Sequence, residues 1–203
     1  MATERRSNEQ RSRITREALV SAARQRFEAD GYEAASLDAI VELADVTKGA
    51  LYHHFATKRA LYDAVIVDIQ DELSAHVDTR AKKAETAWDK FVEAWLAFID
   101  VAPEPGIQRL MLEAPAVLGY QRWQQIDDEH NLVPITDALE HLESKGELVF
   151  GATPDLARTL LAISNALGTL VSQDDDPVAT RAVVRPVWEH LLRSLRVPDP
   201  PRA

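Results

Sequence analysis

The segment over residues 36–57, SLDAIVELADVTKGALYHHFAT, constrains the fold more than any other part of this chain. Three hydroxyl-bearing residues each precede a run with helical periodicity: Ser36, Thr47 and Thr57. Ser and Thr are preferred helix N-caps because their side-chain oxygen accepts a hydrogen bond from a free backbone N–H. The pattern predicts short helices over 37–44 and 48–55, a turn at Asp45 and Val46 between them, and a further helix from Lys58.

A longer helix is predicted in front of this segment, from about Ser12 to Asp30. Its apolar positions recur at three-to-five-residue spacing: Ile14, Ala18, Ala22 and Phe27. Gly31 is placed to end the helix in the left-handed conformation, with Tyr32 as the apolar partner of the cap. Because helices this short are marginal alone, we expect them to share a small core. The expected core residues are Ile14, Phe27, Leu37, Ile40, Val46, Leu51, Phe55 and Leu61.

Helical periodicity continues after Lys58, and no segment alternates as a strand would. Helices are predicted near 58–81, 85–101, 107–118, 120–145, 153–173 and 177–195, with a break over 102–106 and with Pro134 kinking or splitting the fourth of them. The predicted fold is all-α: an N-terminal three-helix helix-turn-helix domain and a larger helical domain, with about nine helices in all. The predicted boundaries are a flexible basic arm at 1–11, the helix-turn-helix at 12–57, the larger domain at 58–197 and a frayed tail at 198–203.

Charge is distributed unevenly along the chain, whose net charge is −10. Residues 1–60 carry ten Lys and Arg against nine Asp and Glu, which gives +1, whereas residues 61–203 carry thirteen against twenty-four, which gives −11. Such a molecule would approach a polyanion with its N-terminal end first, although a solvated, charge-mixed surface explains the same numbers. The absence of cysteine excludes disulfides and thiol chemistry. No signal peptide or membrane span is indicated, so a cytoplasmic location is expected.

The stretch over 15–65 resembles the DNA-binding domain of the tetracycline repressor (TetR) family. The resemblance rests on FEADGYEAAS, DVTKGALYHHF and TKRAL, in that order and spacing. The remainder resembles the family in architecture alone. Asp45 departs from the pattern, since the family usually has glycine there; we expect a turn of the same shape under slightly more strain.

The resemblance and the physics of a helix N-terminus together indicate which residues contact DNA: Thr47, Lys48, Gly49, Ala50, Tyr52, His53, His54 and Lys58. The resemblance implies phosphate contacts for Tyr52 and Lys58, while Thr47 and His53 are the candidates for reading base edges. Gly49 and Ala50 are small enough for close approach to the major groove, and Lys48 adds charge at the helix N-terminus. Tyr52 and His53 would also suit a merely exposed polar surface, and His54 suits either a backbone contact or packing. The arginines of the predicted arm either reach the minor groove or phosphates or form a solvated tail: Arg5, Arg6, Arg11 and Arg13.

The last two predicted helices are apolar on more than one side. Small residues stand among the leucines of the first of them: Ala162, Ser164, Ala166 and Gly168. The resemblance implies that this pair forms a homodimer interface; the alternative is that both helices belong only to the core of one chain. A dimer would bind a palindromic double-stranded DNA operator with half-sites about one helical turn apart or slightly more.

The resemblance also implies a pocket for a small-molecule effector between the central helices. The candidate lining residues are Trp95, Phe98, Met111, Trp123, Ile126, Leu139 and Asn165. Each aromatic residue would serve equally as ordinary core, whereas a buried Asn165 amide would need a partner. The acidic run 127–129 would neutralise a cationic ligand or would form a solvated face.

No motif of an enzyme is present, and no cofactor is predicted. Asp137 and His141, at i and i+4, are half of a metal site with no third ligand near them in sequence. The expected function is a dimeric repressor that leaves its operator when a small molecule binds. The alternatives are an activator or partner-controlled regulator of the same fold, and a helical interaction module that no longer reads sequence.

Overall fold

Helices make up nearly all of the described chain. A computed structural model of the protein describes residues 2–101 and 105–198, with the backbone alone at 2–7 and 105. Those ranges contain ten α-helices and one π-helical segment, and their extended pairing is limited to an isolated bridge between Leu148 and Arg196. The all-α prediction is confirmed.

The α-helices are numbered in chain order. Their bounds are α1 Ala2–Ala34, α2 Leu37–Leu43, α3 Lys48–His54, α4 Lys58–Ala81, α5 Ala87–Val101, α6 Pro105–Leu118, α7 Tyr120–Asp127, α8 Val133–Ser144, α9 Pro154–Ser172 and α10 Pro177–Arg193. The π-helical segment Asp128–Leu132 lies between α7 and α8, directly before Pro134, where the sequence predicts a split. Residues 102–104 of the predicted break and 199–203 of the predicted tail lie outside the described residues.

The predicted helix starts are confirmed by side-chain caps. Each capping oxygen accepts a backbone N–H hydrogen bond of 3.0–3.2 Å: Ser36 from Asp38, Thr47 from Ala50, Thr57 from Ala60, Thr153 from Leu156 and Asp176 from Ala179. These bonds satisfy N–H groups that have no partner within the helix. The local sequence therefore determines where these five helices begin.

Helix α1 begins at Ala2 rather than near Ser12, so the backbone over residues 2–11 is helical instead of forming a separate arm. The side chains of Arg5 and Arg6 lie outside the described residues. Arg11 and Arg13 are exposed, and Arg13 lies 3.7 Å from Glu17. An exposed helical extension is compatible with either interpretation of these arginines.

Gly31 interrupts α1 with φ 79° and ψ 168°. The positive φ agrees with the prediction, but ψ is extended, so the residue adopts the region that is almost exclusive to glycine and not the left-handed helical region. A Cβ at Gly31 would lie 3.0 Å from a carboxylate oxygen of Glu113. The backbone conformation therefore requires glycine, and a Cβ would in addition crowd the Glu113 carboxylate.

The chain divides into two compact units, and three helices contribute to both. The first unit comprises Met1–Ile69 with Arg109–Trp123, and the second comprises Gln70–Gln108 with Gln124–Ala203. The division passes through α4, α6 and α7, whereas the sequence suggests a boundary at Lys58. A sequence pattern locates helices, but it does not show that part of a later helix packs beside the first three.

The core of the first unit is filled by side chains of α1, α2, α3 and α4. Phe27 and Tyr62 pack edge to face with ring centroids 5.1 Å apart, and Tyr32 packs against Tyr62 at 5.0 Å. The predicted core residues Phe27, Ile40, Leu51, Phe55 and Leu61 are buried, while Leu37 and Val46 are partly buried. The prediction for Ile14 is wrong, because its side chain is 53% exposed.

The core of the second unit lies among α5, α8, α9 and α10. Its fully or nearly buried members are Trp88, Phe91, Val92, Trp95, Leu96, Ile99, Leu132, Leu139, Leu142, Ala157, Leu160, Leu161, Trp188 and Leu192. Trp95 and Trp188 meet edge to face at 5.7 Å. Burial of these large apolar side chains is the main source of stability for the unit.

No helix among the described residues is both long enough and apolar enough to cross a membrane.

Candidate functional sites

Helix α3 presents most of the predicted DNA-contacting residues on an exposed surface. Leu51 is 1% exposed and anchors α3 in the core, whereas Tyr52, one position on, is 56% exposed. Thr47, Lys48, Gly49 and His53 are also exposed, and Ala50 and His54 are partly buried. A Cβ added at Gly49 would meet nothing closer than the Thr47 hydroxyl at 3.7 Å, so this side of the helix is open.

The turn in front of α3 is held by the predicted strained residue. Asp45 has φ 52°, and it is the one non-glycine residue with positive φ in the described ranges. Its N–H donates to the Glu42 carbonyl, and the Val46 N–H donates to the Val41 carbonyl at 3.0 Å. The chain therefore turns at Asp45, as the sequence predicts, with aspartate at a positive φ.

Lys48 is paired with an acidic residue of α2. Its Nζ lies 2.6 Å from Asp38 Oδ1, and both side chains are more than half exposed. Hydrogen bonding to Asp38 and its charge raise the pKa of Lys48, so the cation is retained. Asp38 is not among the predicted site residues; its place two residues after the Ser36 cap is the sequence signal that it stands at a helix N-terminus.

Lys58 is held against the corner between α1 and α2. Its Nζ donates a 3.1 Å hydrogen bond to the Glu33 carbonyl and lies 4.7 Å from the centre of the Tyr32 ring. Lysine over an aromatic face is a favourable cation–π arrangement. The charge is therefore fixed at the start of α4, in the same unit as α3.

His54 is packed more closely than His53. Its ring lies 5.2 Å from the His53 ring and 6.4 Å from that of Phe55. Burial, followed by the proximity of His53 and Arg16, lowers the pKa of His54. The guanidinium of Arg16 lies over the Phe55 ring at 5.2 Å. This packing favours the interpretation of His54 as a partly structural residue.

The corner between α1 and α2 is also held by α6 within the first unit. Arg109 donates to the Ala29 carbonyl at 3.0 Å, and Glu113 accepts a 2.9 Å hydrogen bond from the Tyr32 N–H. The Tyr62 hydroxyl donates to the Leu110 carbonyl at 2.8 Å. No local pattern marks these residues in the sequence, because each contact joins positions that are far apart in the chain.

The second unit contains a cavity of about 630 Å³. Its wall is formed by residues of α4, α5, the π-helical segment, α8 and α9: Leu73, Ser74, Val77, Asp78, Ala81, Ala87, Lys90, Phe91, Ala94, Trp95, Phe98, His130, Asn131, Pro134, Ile135, Asp137, Ala138, His141, Leu142, Leu161 and Ser164. A partly apolar cavity of this size is typical of small-molecule sites.

Two of the seven predicted lining residues, Trp95 and Phe98, are in this wall. Ile126 and Leu139 are fully buried but outside the wall, and Met111 and Trp123 belong to the first unit. Asn165 is exposed on α9, so the prediction that its amide is buried in the pocket wall is wrong. The apolar periodicity identified inward-facing positions, but it does not distinguish a filled core from a cavity.

The acidic run 127–129 does not contribute to the cavity wall. Burial raises the pKa of Asp127, whose carboxylate accepts a 3.0 Å hydrogen bond from the Asn131 amide. Asp128 lies 3.6 Å from Arg158. Asp137 and His141 do border the cavity, but no group of three or more metal-ligating side chains is found in the described part of the chain.

Helices α9 and α10 carry an apolar surface in addition to their buried faces. Val184 and Trp188 of α10 are buried, whereas Val183 and Val187, one position before them, are 67% and 55% exposed. The exposed apolar residues of the two helices are Ile163, Leu170, Val178, Val183, Val187 and Leu191, here called the apolar face. Among the small residues of α9, Ala162 and Ala166 are exposed, while Ser164 and Gly168 are buried.

Comparison with known proteins identifies the family. The family profile described as "Tetracyclin repressor-like, C-terminal domain" matches residues 88–195, which is more than half of the chain. The chain belongs to the TetR family. A second profile, "Bacterial regulatory proteins, tetR family", matches residues 19–65, the segment that contains α2 and α3. The protein is therefore a DNA-binding transcriptional regulator, as the sequence predicts.

Individual relatives agree with this assignment. A crystal structure of a TetR-family transcriptional regulator from Pectobacterium atrosepticum is 28% identical, covers 94% of this chain and 98% of its own, and superposes with a TM-score of 0.77. The A-factor receptor protein of Streptomyces griseus is 28% identical over 183 residues, which span 89% of this chain and 63% of the receptor. The Escherichia coli regulator UidR is 39% identical over 61 residues, 30% of this chain and 31% of that protein. The matches thus span less than two thirds of these two curated relatives.

Proposed function

We propose that this TetR-family regulator is a homodimeric repressor that releases a palindromic operator when a small molecule occupies the cavity. The observation that carries the proposal is the course of α4, which begins at Lys58 beside α3 and continues into the cavity wall with Leu73 and Val77. A ligand that prefers one position of this helix shifts the spacing of the two DNA-binding surfaces in the dimer. The relative from Streptomyces griseus is named a receptor, which supports the proposal that this protein also senses a small molecule.

In the proposed complex, α3 lies in the major groove. Tyr52 and Lys58 contact phosphates, and Lys48 provides a second cation when its ion pair with Asp38 is replaced by a contact with DNA. Thr47 and His53 read base edges, while Gly49 and Ala50 allow the helix backbone to approach closely. The exposure of α3 and the open space at Gly49 support this arrangement.

In the proposed dimer, the apolar face of each chain packs against its copy. Exposed valine and leucine side chains at i and i+4 along α10 form a continuous stripe that water solvates poorly. Burying the stripe in a symmetric four-helix interface removes it from water. A two-fold axis then relates the DNA-binding surfaces of the two chains.

Selection from random DNA duplexes, followed by anisotropy titration of the enriched site, tests the DNA-binding part. We expect a palindrome, and we expect the variant Tyr52→Ala/Lys58→Ala to bind it about 100-fold more weakly, with a shallower salt dependence. A matched control is Tyr120→Ala/Lys145→Ala, which removes an exposed tyrosine and lysine elsewhere. Equal affinities for the two double variants would contradict the assignment of α3 and α4.

Sedimentation tests the dimer. The side chains of Val187 on the apolar face and Val133 on α8 are each 55% exposed. We expect Val187→Asp to produce monomers, because an aspartate in a packed apolar interface would be buried without a partner, and Val133→Asp to remain dimeric. A dimeric Val187→Asp variant would exclude the apolar face as the interface.

A further inference from the structure

The cavity wall separates its charged residues from its apolar ones. The apolar side chains include Phe91, Trp95 and Leu161, which are at most 8% exposed. The charged members Asp78, Lys90 and Asp137, together with His141, are all exposed, so they lie at the solvent side of the wall. Screening by water weakens the interaction of such charges with a ligand that is buried deeper.

Ser164 and Asn131 contribute neutral polar groups to the wall away from its solvent side. Ser164 is fully buried, and its hydroxyl has no hydrogen-bond partner among the described residues. The Asn131 amide donates to Asp127, which leaves the Asn131 carbonyl oxygen as an acceptor. An unpaired buried hydroxyl is costly, and a ligand oxygen that accepts its hydrogen would remove that cost.

A buried ion would find no unpaired counter-charge among the wall residues that are away from solvent. His130 is engaged on both ring nitrogens, at 2.9 Å from the Ile126 carbonyl and 3.2 Å from Asp71. Transfer of an unpaired carboxylate or ammonium from water into apolar surroundings is strongly unfavourable. The wall therefore favours a ligand whose buried part carries no charge.

We infer that the effector is an uncharged, mainly apolar molecule of drug-like size with a carbonyl or hydroxyl oxygen that accepts a hydrogen bond from Ser164. This inference rests on the proposed use of the cavity as the sensing site. The volume of about 630 Å³ is within the range of sites for such molecules. The aromatic and aliphatic wall provides the affinity, and the Ser164 hydroxyl provides orientation.

Competition binding with the intact protein tests the charge preference. The fluorescent probe is N-phenyl-1-naphthylamine, and its competitors are 1-decanol, decanoate and decylammonium, which share a chain length and differ in head-group charge. At pH 7.5 we expect 1-decanol to displace the probe at concentrations roughly thirtyfold lower than either ion. Equal or better displacement by decanoate or decylammonium would overturn the inference.

Two kinds of variant locate the probe and test Ser164. Ala138→Trp and Ala94→Trp fill the cavity and should abolish probe binding, whereas Ala75→Trp, on an exposed position of α4 outside the wall, should leave it unchanged. Ser164→Ala should weaken 1-decanol roughly threefold to tenfold and leave the probe, which has no oxygen, unaffected. Ser144→Ala on α8 is its exposed control. If Ser164→Ala binds 1-decanol as tightly as wild type, the inferred hydrogen bond from Ser164 to the ligand is wrong.

Operator binding is measured on the same samples by anisotropy. Probe binding that survives in both cavity-filling variants, or its absence from the wild type, overturns the inference even when the operator is bound normally. Failure of the ligand-free wild type to bind the operator, together with normal probe binding in the cavity, contradicts the DNA-binding assignment alone. The two failures are therefore distinguishable.

Discussion

In the first unit the aromatic side chains close on one another, whereas in the second unit several of them border an empty space. Phe27, Tyr32 and Tyr62 form a cluster with centroids 5.0–5.9 Å apart. Trp95 packs against Trp188 on one side and faces the cavity on the other. A DNA-binding surface must keep a fixed shape as it meets the groove, and a sensing site must leave room for its ligand.

The two units also differ in what they expose. The first unit exposes polar and cationic groups at α3 and the start of α4, while the second exposes the apolar face of α9 and α10. Polar exposure suits contact with phosphates, and apolar exposure suits association of two copies. The difference matches the proposed function, in which the first unit binds DNA and the second senses a ligand and joins two copies.

The largest expected effect is on stability, from truncating one phenylalanine in each unit. Phe27→Ala should lower the free energy of unfolding by about 3–5 kcal/mol, because it opens a cavity in a filled core. Phe98→Ala should cost only about 1–2 kcal/mol, because Phe98 is partly exposed and already borders the cavity. Urea unfolding followed by circular dichroism measures both. If the two variants lose similar free energies of unfolding, the first unit is not more tightly packed at Phe27 than the second unit is at Phe98.

The N-caps of α3 and α9 provide a smaller, matched comparison. Thr47→Ala and Thr153→Ala each remove one capping bond of 3.1 Å, so each should cost about 1 kcal/mol of stability. We expect only Thr47→Ala to reduce operator affinity, since α3 is the helix that contacts DNA in the proposed complex. Thermal unfolding and operator titration measure the two effects; a loss of affinity in Thr153→Ala as well would show that the units are not separable in this way.

Replacing Asp45 with glycine should stabilise the first unit. Aspartate at φ 52° is strained relative to glycine, so Asp45→Gly should raise the free energy of unfolding by about 0.5–1 kcal/mol. Asp176→Gly is the matched control, because Asp176 has φ −127° and caps α10 through its side chain. Chemical unfolding of both variants checks the sign; a destabilised Asp45→Gly would mean that the carboxylate itself supports the turn.

The smallest expected effect is a pH dependence that belongs to the first unit. The lowered pKa of His54 means that the unfolded chain binds this proton more tightly than the folded chain. Above the ordinary pKa of histidine, His54 does not reduce the free energy of unfolding. As the pH falls through that value, protonation of the unfolded chain lowers the free energy of unfolding. His54→Gln should therefore lose less stability than wild type between pH 7.5 and pH 5 in thermal unfolding. The same substitution at exposed His76 is the control, and equal slopes for the two variants would contradict the prediction.

Local sequence patterns account for the starts of five helices and for the turn at Asp45. These features depend on residues that are close in the chain: a cap and the N–H groups two or three positions later, or a short run that alternates between the core and the surface. The same local character explains why the all-α class was predictable.

The location of the cavity and the side chains that line it depend on packing between helices that are distant in the chain. Trp95 and Leu139 have the same apolar character in sequence, yet one borders the cavity and the other is in the filled core. Asn165 and Ser164 are neighbours on α9, and a rotation of about 100° per residue exposes the first and buries the second. The packing of Arg109 and Glu113 against α1 likewise joins distant parts of the chain. Such contacts depend on how whole helices pack, and no local pattern in the sequence encodes them.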